Sequence, residues 1–374
     1  MSLAHPPFPR ILQVDADAFY VQVARLIDPD GAGQADLLLV GGTPQGRGVV
    51  TSAAYAARQF GVRSGMPMAR ALRLCPNATV VGVPRRACSE LSRAIVRELE
   101  QFTPVVEPAS IDEMYLDLTG TEELYRGETL EALSRRIRST VREVTEITVS
   151  IGGGTNRLVA KLAAGRAKPH RTPEADGVVI GPPGDEATFL ATLDLAAIPG
   201  IGPRFQERLA RYRLVRVGDA LRHERRTLEN WFGHRAGGWL YDRIRGVDRT
   251  PIVARARAKS ISRDETFAED IDDDDRLRRE LLRLSDRAAA DLRSHGYVAR
   301  TISVRIRDKD FRDRRASRTL AEPVTTERVI FETATELFHK LRQARAVPAR
   351  LLSVSLSHFG AAETDEQRPR PPAG

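Results

Sequence analysis

Apolar and polar positions divide the chain into three stretches of different character. In the first, Ile11-Leu12-Gln13-Val14-Asp15 reads as a buried strand that breaks into Asp-Ala-Asp. Residues 37–41 and 48–52 predict two more short strands around a Gly-rich turn. Helices are expected over 53–60, 67–74 and 86–102, the last with Leu91, Ile95, Leu99 and Phe102 at helical spacing. Residues 110–118 alternate into a strand and 128–144 form an amphipathic helix. Residues 149–152 form another strand, followed by a Gly-rich turn (Gly152-Gly153-Gly154) and a helix from 156 to 166. Strands and helices mixed in this way, with antiparallel neighbours, point to an α+β core.

The second stretch, 186–245, is helical with short Gly-containing turns and shows no strand pattern. After Thr250-Pro251 the pattern changes again. A strand is expected over 259–267, then a helix over 272–295 opened by the acids Asp272 to Asp275, which suit a helix N-terminus. Residues 298–307 alternate, 318–323 give a shorter strand, Thr326 caps a helix to 343, and 351–359 alternate once more. That order, β-α-β-β-α-β, is the split βαβ module, so a domain boundary falls at 245–254. The last dozen residues, rich in Pro, Glu and Arg, are expected to be a disordered tail.

Length and composition narrow the classes. A chain of 374 residues with 41% hydrophobic and 29% charged residues has room for two or three folded domains. The sequence lacks an apolar run of about 18 residues, the length a membrane-spanning helix needs. The opening MSLAHPPFPR has no apolar leader. Two cysteines, Cys75 and Cys88, are too few for a disulfide framework or a structural zinc site and suit a reducing cytoplasm. Net charge is +8, but only five of the 58 basic residues are lysine, so arginine counts reflect codon composition. Placement is more informative: residues 1–202 are near neutral, whereas 203–250 carry six more basic than acidic residues and 251–360 five more. Such placement suggests that one part performs chemistry while another holds a polyanion, the other reading of the charge alone being a well-solvated surface.

Five constellations carry the chemistry. Asp15 and Asp17 stand where a buried strand meets a loop, an expensive place for a carboxylate unless a cation meets it. Asp-x-Asp also opens haloacid-dehalogenase-type phosphatases, which usually carry Thr or Val where this chain has Phe19, and such acids can simply cap the helix at 17–26. The second constellation, Ser110-Ile111-Asp112-Glu113, sits in another strand. Two acid-bearing strands that pair make a natural two-metal site for phosphoryl transfer. Third, Tyr55 and Arg58 share one helical face. Fourth, Lys161 and Lys168, two of the five lysines, supply cations for a triphosphate opposite such a site. Fifth, Ile198-Pro199-Gly200-Ile201-Gly202-Pro203 before a basic helix is a helix-hairpin-helix signature, whose backbone amides hold phosphate without reading sequence.

In order and spacing, these segments, with Gln59-Phe60-Gly61-Val62-Arg63-Ser64-Gly65-Met66-Pro67, Asn156, Pro169 and Lys259-Ser260, resemble the Y-family lesion-bypass DNA polymerases, most of all the bacterial DNA polymerase IV type. The resemblance spans residues 10 to 360. It implies a right hand: a palm from 11–18 and 85–175, fingers from 19–84, a helix-hairpin-helix thumb from 176–245 and a split βαβ little finger from 254–360, with a tail at 361–374. It further implies that Asp15, Asp112 and Glu113 are the catalytic acids and bind two Mg²⁺ with the Ala16 carbonyl. Tyr20 would be the steric gate against a 2′-hydroxyl. Tyr20, Ser52, Tyr55, Arg58 and Lys168 would hold the dNTP, while Gly200, Gly202 and Lys259 would grip primer-template DNA. Asp17 would be structural. Translesion synthesis of low fidelity without proofreading follows, by a monomeric cytoplasmic enzyme. The other reading is a non-catalytic DNA-damage scaffold with the same fold, although such relatives lose the carboxylates. Ala24, Gly153, Gly154, Arg157 and Arg171 depart from the family pattern, which bears on the shape of the triphosphate site, and no clear sliding-clamp motif stands in 363–374.

Overall fold

The computed structural model describes residues 8–169, 176–254 and 258–361. The chain divides into two compact units, Met1–Thr43 with Gly48–Ala256 and Pro44–Arg47 with Arg257–Gly374. The described residues of the first unit contain strands β1 (Ile11–Ala16), β2 (Leu38–Gly41), β3 (Val50–Ala53), β4 (Thr79–Val81), β5 (Val106–Pro108), β6 (Glu113–Asp117), β7 (Val149–Gly154) and β8 (Val178–Ile180). They form a five-stranded sheet in the order β5-β6-β1-β7-β8 and a small sheet in the order β3-β2-β4. The central β1 runs antiparallel to both β6 and β7.

The period of two along β1 assigns its faces. Leu12, Val14 and Ala16 enter a core shared with Ile95 and Leu99 of helix Arg85–Glu100 and with Ile137 and Val141 of helix Leu130–Thr145. Ile11, Gln13 and Asp15 take the other face, and there helix Arg157–Ala167 lies against the sheet. It lies close because Gly152, opposite Gln13, has no side chain: a Cβ there would stand 1.9 Å from the Ala164 nitrogen and 2.1 Å from the Ala160 carbonyl oxygen. This corrects the expected turn at Gly152 to Gly154. All three glycines lie inside β7, paired with Gln13, Leu12 and Ile11, and the bare Gly152 and Gly154 admit the helix.

From residue 186 to 245 the described residues are helical, without a strand: Glu186–Ala191, Pro203–Ala210, Val217–Leu221, Arg225–Phe232 and His234–Ile244 pack around Leu190, Leu209, Leu228, Phe232 and Leu240.

The second unit follows the expected β-α-β-β-α-β order. Strands β9 (Ser260–Ile271), β10 (Tyr297–Asp308), β11 (Asp313–Val324) and β12 (Ala349–Ala361) form an antiparallel sheet in the order β11-β10-β12-β9. Helices Asp274–Ser294 and Glu327–Ala344 cover one face, burying Leu281, Leu284, Ala288 and Phe338 against Ile302, Val304, Ile306, Val354 and Leu356. Asp273 caps the first helix by accepting from the Arg276 amide at 2.8 Å, whereas Thr326 stands at the N-cap of the second without a side-chain bond. β11 runs twelve residues where six were expected. Its Arg, Ser and Thr positions are largely exposed, so no apolar alternation marks it, and pairing with β10 defines it instead. Strand β12 extends through Ala361, and the tail beyond it lies outside the described residues. No described helix is long and apolar enough to cross a membrane.

Candidate metal and nucleotide site

Register brings the acids together. Asp15 and Glu113 are direct cross-strand partners, and the Asp112 carbonyl accepts from the Ala16 amide at 2.9 Å. The ends of β1 and β6 therefore set Asp15 opposite Glu113, with Asp112 just before β6. Helix Arg157–Ala167 supplies the counter-charge. Lys161 Nζ donates to Glu113 Oε2 at 2.5 Å and Lys168 Nζ to Asp15 Oδ1 at 2.6 Å. Lys161 lies within the helix, and Lys168 is its C-cap, where the backbone turns extended. Asn156 anchors this helix, its Oδ1 accepting from the Val159 amide at 3.1 Å while its Nδ2 donates to the Gly246 carbonyl at 2.7 Å. A cavity of about 510 Å³ opens beside Asp15, Glu113, Lys161, Arg166 and Lys168.

Burial raises the Asp15 pKa above the ordinary carboxylate value. Lys168 pulls it down, and Glu113 and Asp112 push it up again. Asp112 is turned to a local partner, accepting from Ser110 Oγ at 2.5 Å.

β1 breaks at Ala18, whose φ of 44° lies in the left-handed region and costs an alanine about 1–2 kcal/mol. The turn buries Phe19 and sets Tyr20 half-buried at the start of helix Phe19–Ile27, its ring edge-to-face with Phe19 at 5.8 Å. Asp17 does not cap that helix. Its Oδ1 accepts from Ser150 Oγ at 2.9 Å and from the Tyr55 hydroxyl at 3.4 Å, which joins the acid strand to β7 and to helix Tyr55–Gln59. The Arg58 guanidinium stacks over the Tyr55 ring at 4.8 Å, and its Nε donates to the Ala53 carbonyl at 2.9 Å. Burial, with the Asp17 charge behind it, pushes the Tyr55 hydroxyl far above its ordinary pKa, so it remains a donor. Ser52 is buried in β3 opposite Val40, three residues before Tyr55.

Among the described residues, no three His, Cys, Asp or Glu side chains stand together as a ready metal cluster. Each acid at the site faces an ammonium or a hydroxyl donor instead. The donor chemistry nonetheless fits a hard divalent cation: carboxylate oxygens from paired strands, two of them already in contact with a positive charge.

The impB/mucB/samB family profile matches residues 14–165, and that of the family's C-terminal domain matches residues 258–369. A DNA polymerase IV of Halorhodospira halophila is 37% identical, over 93% of this chain and 94% of its own. The chain belongs to the Y family of lesion-bypass DNA polymerases. Among solved structures, a Y-family DNA polymerase chimera of Dbh and Dpo4 is similar with a TM-score of 0.81 at 25% identity, covering 94% of this chain and 99% of that one. An insertion ternary complex of Dbh DNA polymerase shares the fold with a TM-score of 0.66 at 24% identity, over 95% of this chain and the whole of that one. The scaffold alternative is not favoured, and divalent-metal dependence is general to this family.

The polymerase accommodates its departures from the family pattern by packing. Ala24 is buried among Val21, Ala32 and Leu38, where an acid would need a partner. Gly153 and Gly154 are strand residues whose Cβ would meet Ile180 and Val159 side chains at 2.5 Å. Arg157 does not face the acids. It pairs with Glu107 Oε2 at 2.6 Å and stacks over Tyr115 at 4.1 Å, at the end of the helix far from Lys168. Arg171 lies outside the described residues.

In the helical region of the polymerase, Gly200 has φ +99°, and a Cβ there would meet the Trp239 ring at 2.9 Å, so glycine is required twice over. Gly202 stands free of neighbours at the N-cap of helix Pro203–Ala210, and Lys259 is exposed just before β9. The structure thus brings Asp15, Asp112, Glu113, Tyr55, Arg58 and Lys168 into one connected region. It leaves Ser52 without a recorded contact to the acids. Sequence reasoning paired Lys161 with Lys168 as cations for a triphosphate, and the structure sets the Lys161 ammonium on Glu113.

Proposed function

We propose that Asp15, Asp112 and Glu113, with the Ala16 carbonyl, hold two Mg²⁺ ions and that template-directed transfer from a dNTP to a primer 3′-hydroxyl takes place at this site. The observation that carries the reading is the register: Asp15 opposite Glu113, with Asp112 tied to Ala16, at the ends of adjacent strands. When bound, the ions lower the pKa of the attacking hydroxyl and neutralise charge on the leaving pyrophosphate. Tyr20 lies against the sugar and excludes a 2′-hydroxyl. Tyr55 donates its hydroxyl, while Arg58 and Lys168 offer positive charge to the triphosphate, with Ser52 shaping the strand end behind them. The bond formed joins primer O3′ to the α-phosphorus, and the bond broken releases pyrophosphate.

DNA is gripped through its backbone. Gly200 and Gly202 bring main-chain amides close to phosphate, and Lys259 adds charge. The uncovered face of the four-stranded sheet supports this reading. Successive rungs read Ser260, Ser357, Thr301, Thr319 and then Ser262, Ser355, Ser303, Ser317, a run of hydroxyls, with Asp264, Ser353, Arg305 and Arg315 on the next rung. Such a surface bonds phosphate and sugar without base preference, so affinity falls steeply with salt. Low fidelity, absence of proofreading, a monomeric state and a cytoplasmic location complete the proposal; Cys75 and Cys88, both buried, carry free thiols. A sliding-clamp motif would fall in 363–374, outside the described residues. Primer extension with Mg²⁺ and dNTPs, beside a D112A/E113A variant that still binds DNA, tests the assignment. Extension by the native protein alone is expected, and extension by both would overturn it.

A further inference from the structure

Arginine is the basic residue almost everywhere in this chain, yet both side chains that face the acids are lysines. The difference is physical. A guanidinium holds a carboxylate with two parallel bonds and releases it reluctantly, whereas an ammonium is a point charge on a flexible stem that can leave. Lys161 makes one short bond, to Glu113 Oε2, with both side chains about a third exposed. It thereby occupies the oxygen of an acid that Asp15 faces directly across the strand pair. Lys168 does the same to Asp15, and no ready metal cluster exists among the described residues in this arrangement.

We propose that Lys161 is a cationic placeholder: it holds Glu113 while the polymerase is free of divalent ions and must give up that oxygen before an ion can bind. The proposal rests on the reading of Asp15, Asp112 and Glu113 as metal ligands. Lys161 is a positioning residue in this role, because it acts through Glu113. Two consequences follow from competition for one carboxylate. Divalent ions bind the free polymerase weakly, since each must displace an ammonium. A polyanion entering the cavity lined by Lys161 and Lys168 offers the displaced ammonium a new partner, so triphosphate and metal favour each other's binding.

The test is Mn²⁺ binding to the DNA-free, nucleotide-free protein, followed by the electron paramagnetic resonance of free Mn²⁺. K161M and K161Q should each bind Mn²⁺ about tenfold more tightly than the native chain. K161R, which keeps the charge and can grip Glu113 with two bonds, should bind no more tightly than native. Arg166 lines the same cavity but bonds to the Phe189 carbonyl, not to an acid. R166M should therefore change the affinity by less than about twofold, which separates displacement of a placeholder from general loss of positive charge. Unchanged affinity in both K161M and K161Q, or an equal gain in R166M, overturns the proposal. D15N/E113Q separates the two claims: loss of Mn²⁺ binding there, with unchanged K161M, sinks the placeholder alone, whereas native-like binding sinks the reading of the acids as ligands.

Discussion

The five-stranded sheet of the first unit and the four-stranded sheet of the second each bury one face under a pair of helices: Arg85–Glu100 with Leu130–Thr145 in one, Asp274–Ser294 with Glu327–Ala344 in the other. Their remaining faces differ. In the five-stranded sheet a third helix lies on the second face, so Asp15 and Glu113 are partly buried and their charge is met by Lys161 of that helix and Lys168 at its C-cap. In the four-stranded sheet both helices of the unit lie on the same face, leaving the second without a helix of its own unit. Its charges pair within the sheet, Arg305 with Asp264 at 3.1 Å and Arg307 with Asp313 at 2.7 Å, and hydroxyls fill the rest. A carboxylate under a helix is costly to leave without a cation, which suits a metal and a triphosphate. A hydroxyl face offers short, uncharged donors and acceptors that can meet phosphate and sugar, which suits a grip that tolerates any sequence.

Removing an acid from the covered face should have the largest effect. E113Q keeps the shape and loses the charge, and primer extension should fall roughly a thousandfold with DNA affinity unchanged. An equal loss in DNA affinity would erase the distinction between the two sheets. Next comes the covering helix itself. G152A places a Cβ within 2.1 Å of two backbone atoms of that helix, so the first unit should lose about 2–3 kcal/mol, read as a lowered thermal midpoint. A midpoint equal to native would show that the helix does not depend on bare strand beneath it.

On the uncovered face, S355E sets a negative charge in the middle of the hydroxyl rungs. Fluorescence anisotropy should report primer-template affinity reduced about tenfold, with turnover at saturating DNA preserved. Loss of turnover instead would assign that face a part in chemistry. The smallest effect is a pH dependence in the turn between β10 and β11. Arg345 bonds to Asp310 and holds its carboxyl down at about 2, below its usual 3.8. A carboxyl depressed on folding stabilises above its ordinary pKa, and that stabilisation is lost as pH falls from 3.8 through 2. The stability difference between native and D310N should therefore shrink over that range in acid titration followed by circular dichroism.

Much of this was legible from residue order alone. An apolar run located β1, which is buried on both faces, and period-two and helical patterns located β10, β12 and the long helices, which each bury one continuous stripe. β4, β5 and β8 escaped notice, since three residues are too few to show a period. β11 was read at half its length because neither of its faces is fully buried. Glycines at 152 to 154 suggested a turn, since a glycine's strand role is visible only when the helix that needs its absent Cβ is in place.

By itself the sequence determined the two acid-bearing strands, the cationic lysines, the hairpin glycines and the split βαβ order, all of which are local in the chain or carried by spacing. Only the tertiary structure decided that Asp15 stands opposite Glu113, that Asp17 bonds Ser150 and Tyr55 instead of capping a helix, that Arg157 turns away to Glu107, and that Lys161 rests on Glu113. Those pairings join residues far apart in sequence, and strand register and helix packing, not local propensity, set which of the many possible ion pairs forms.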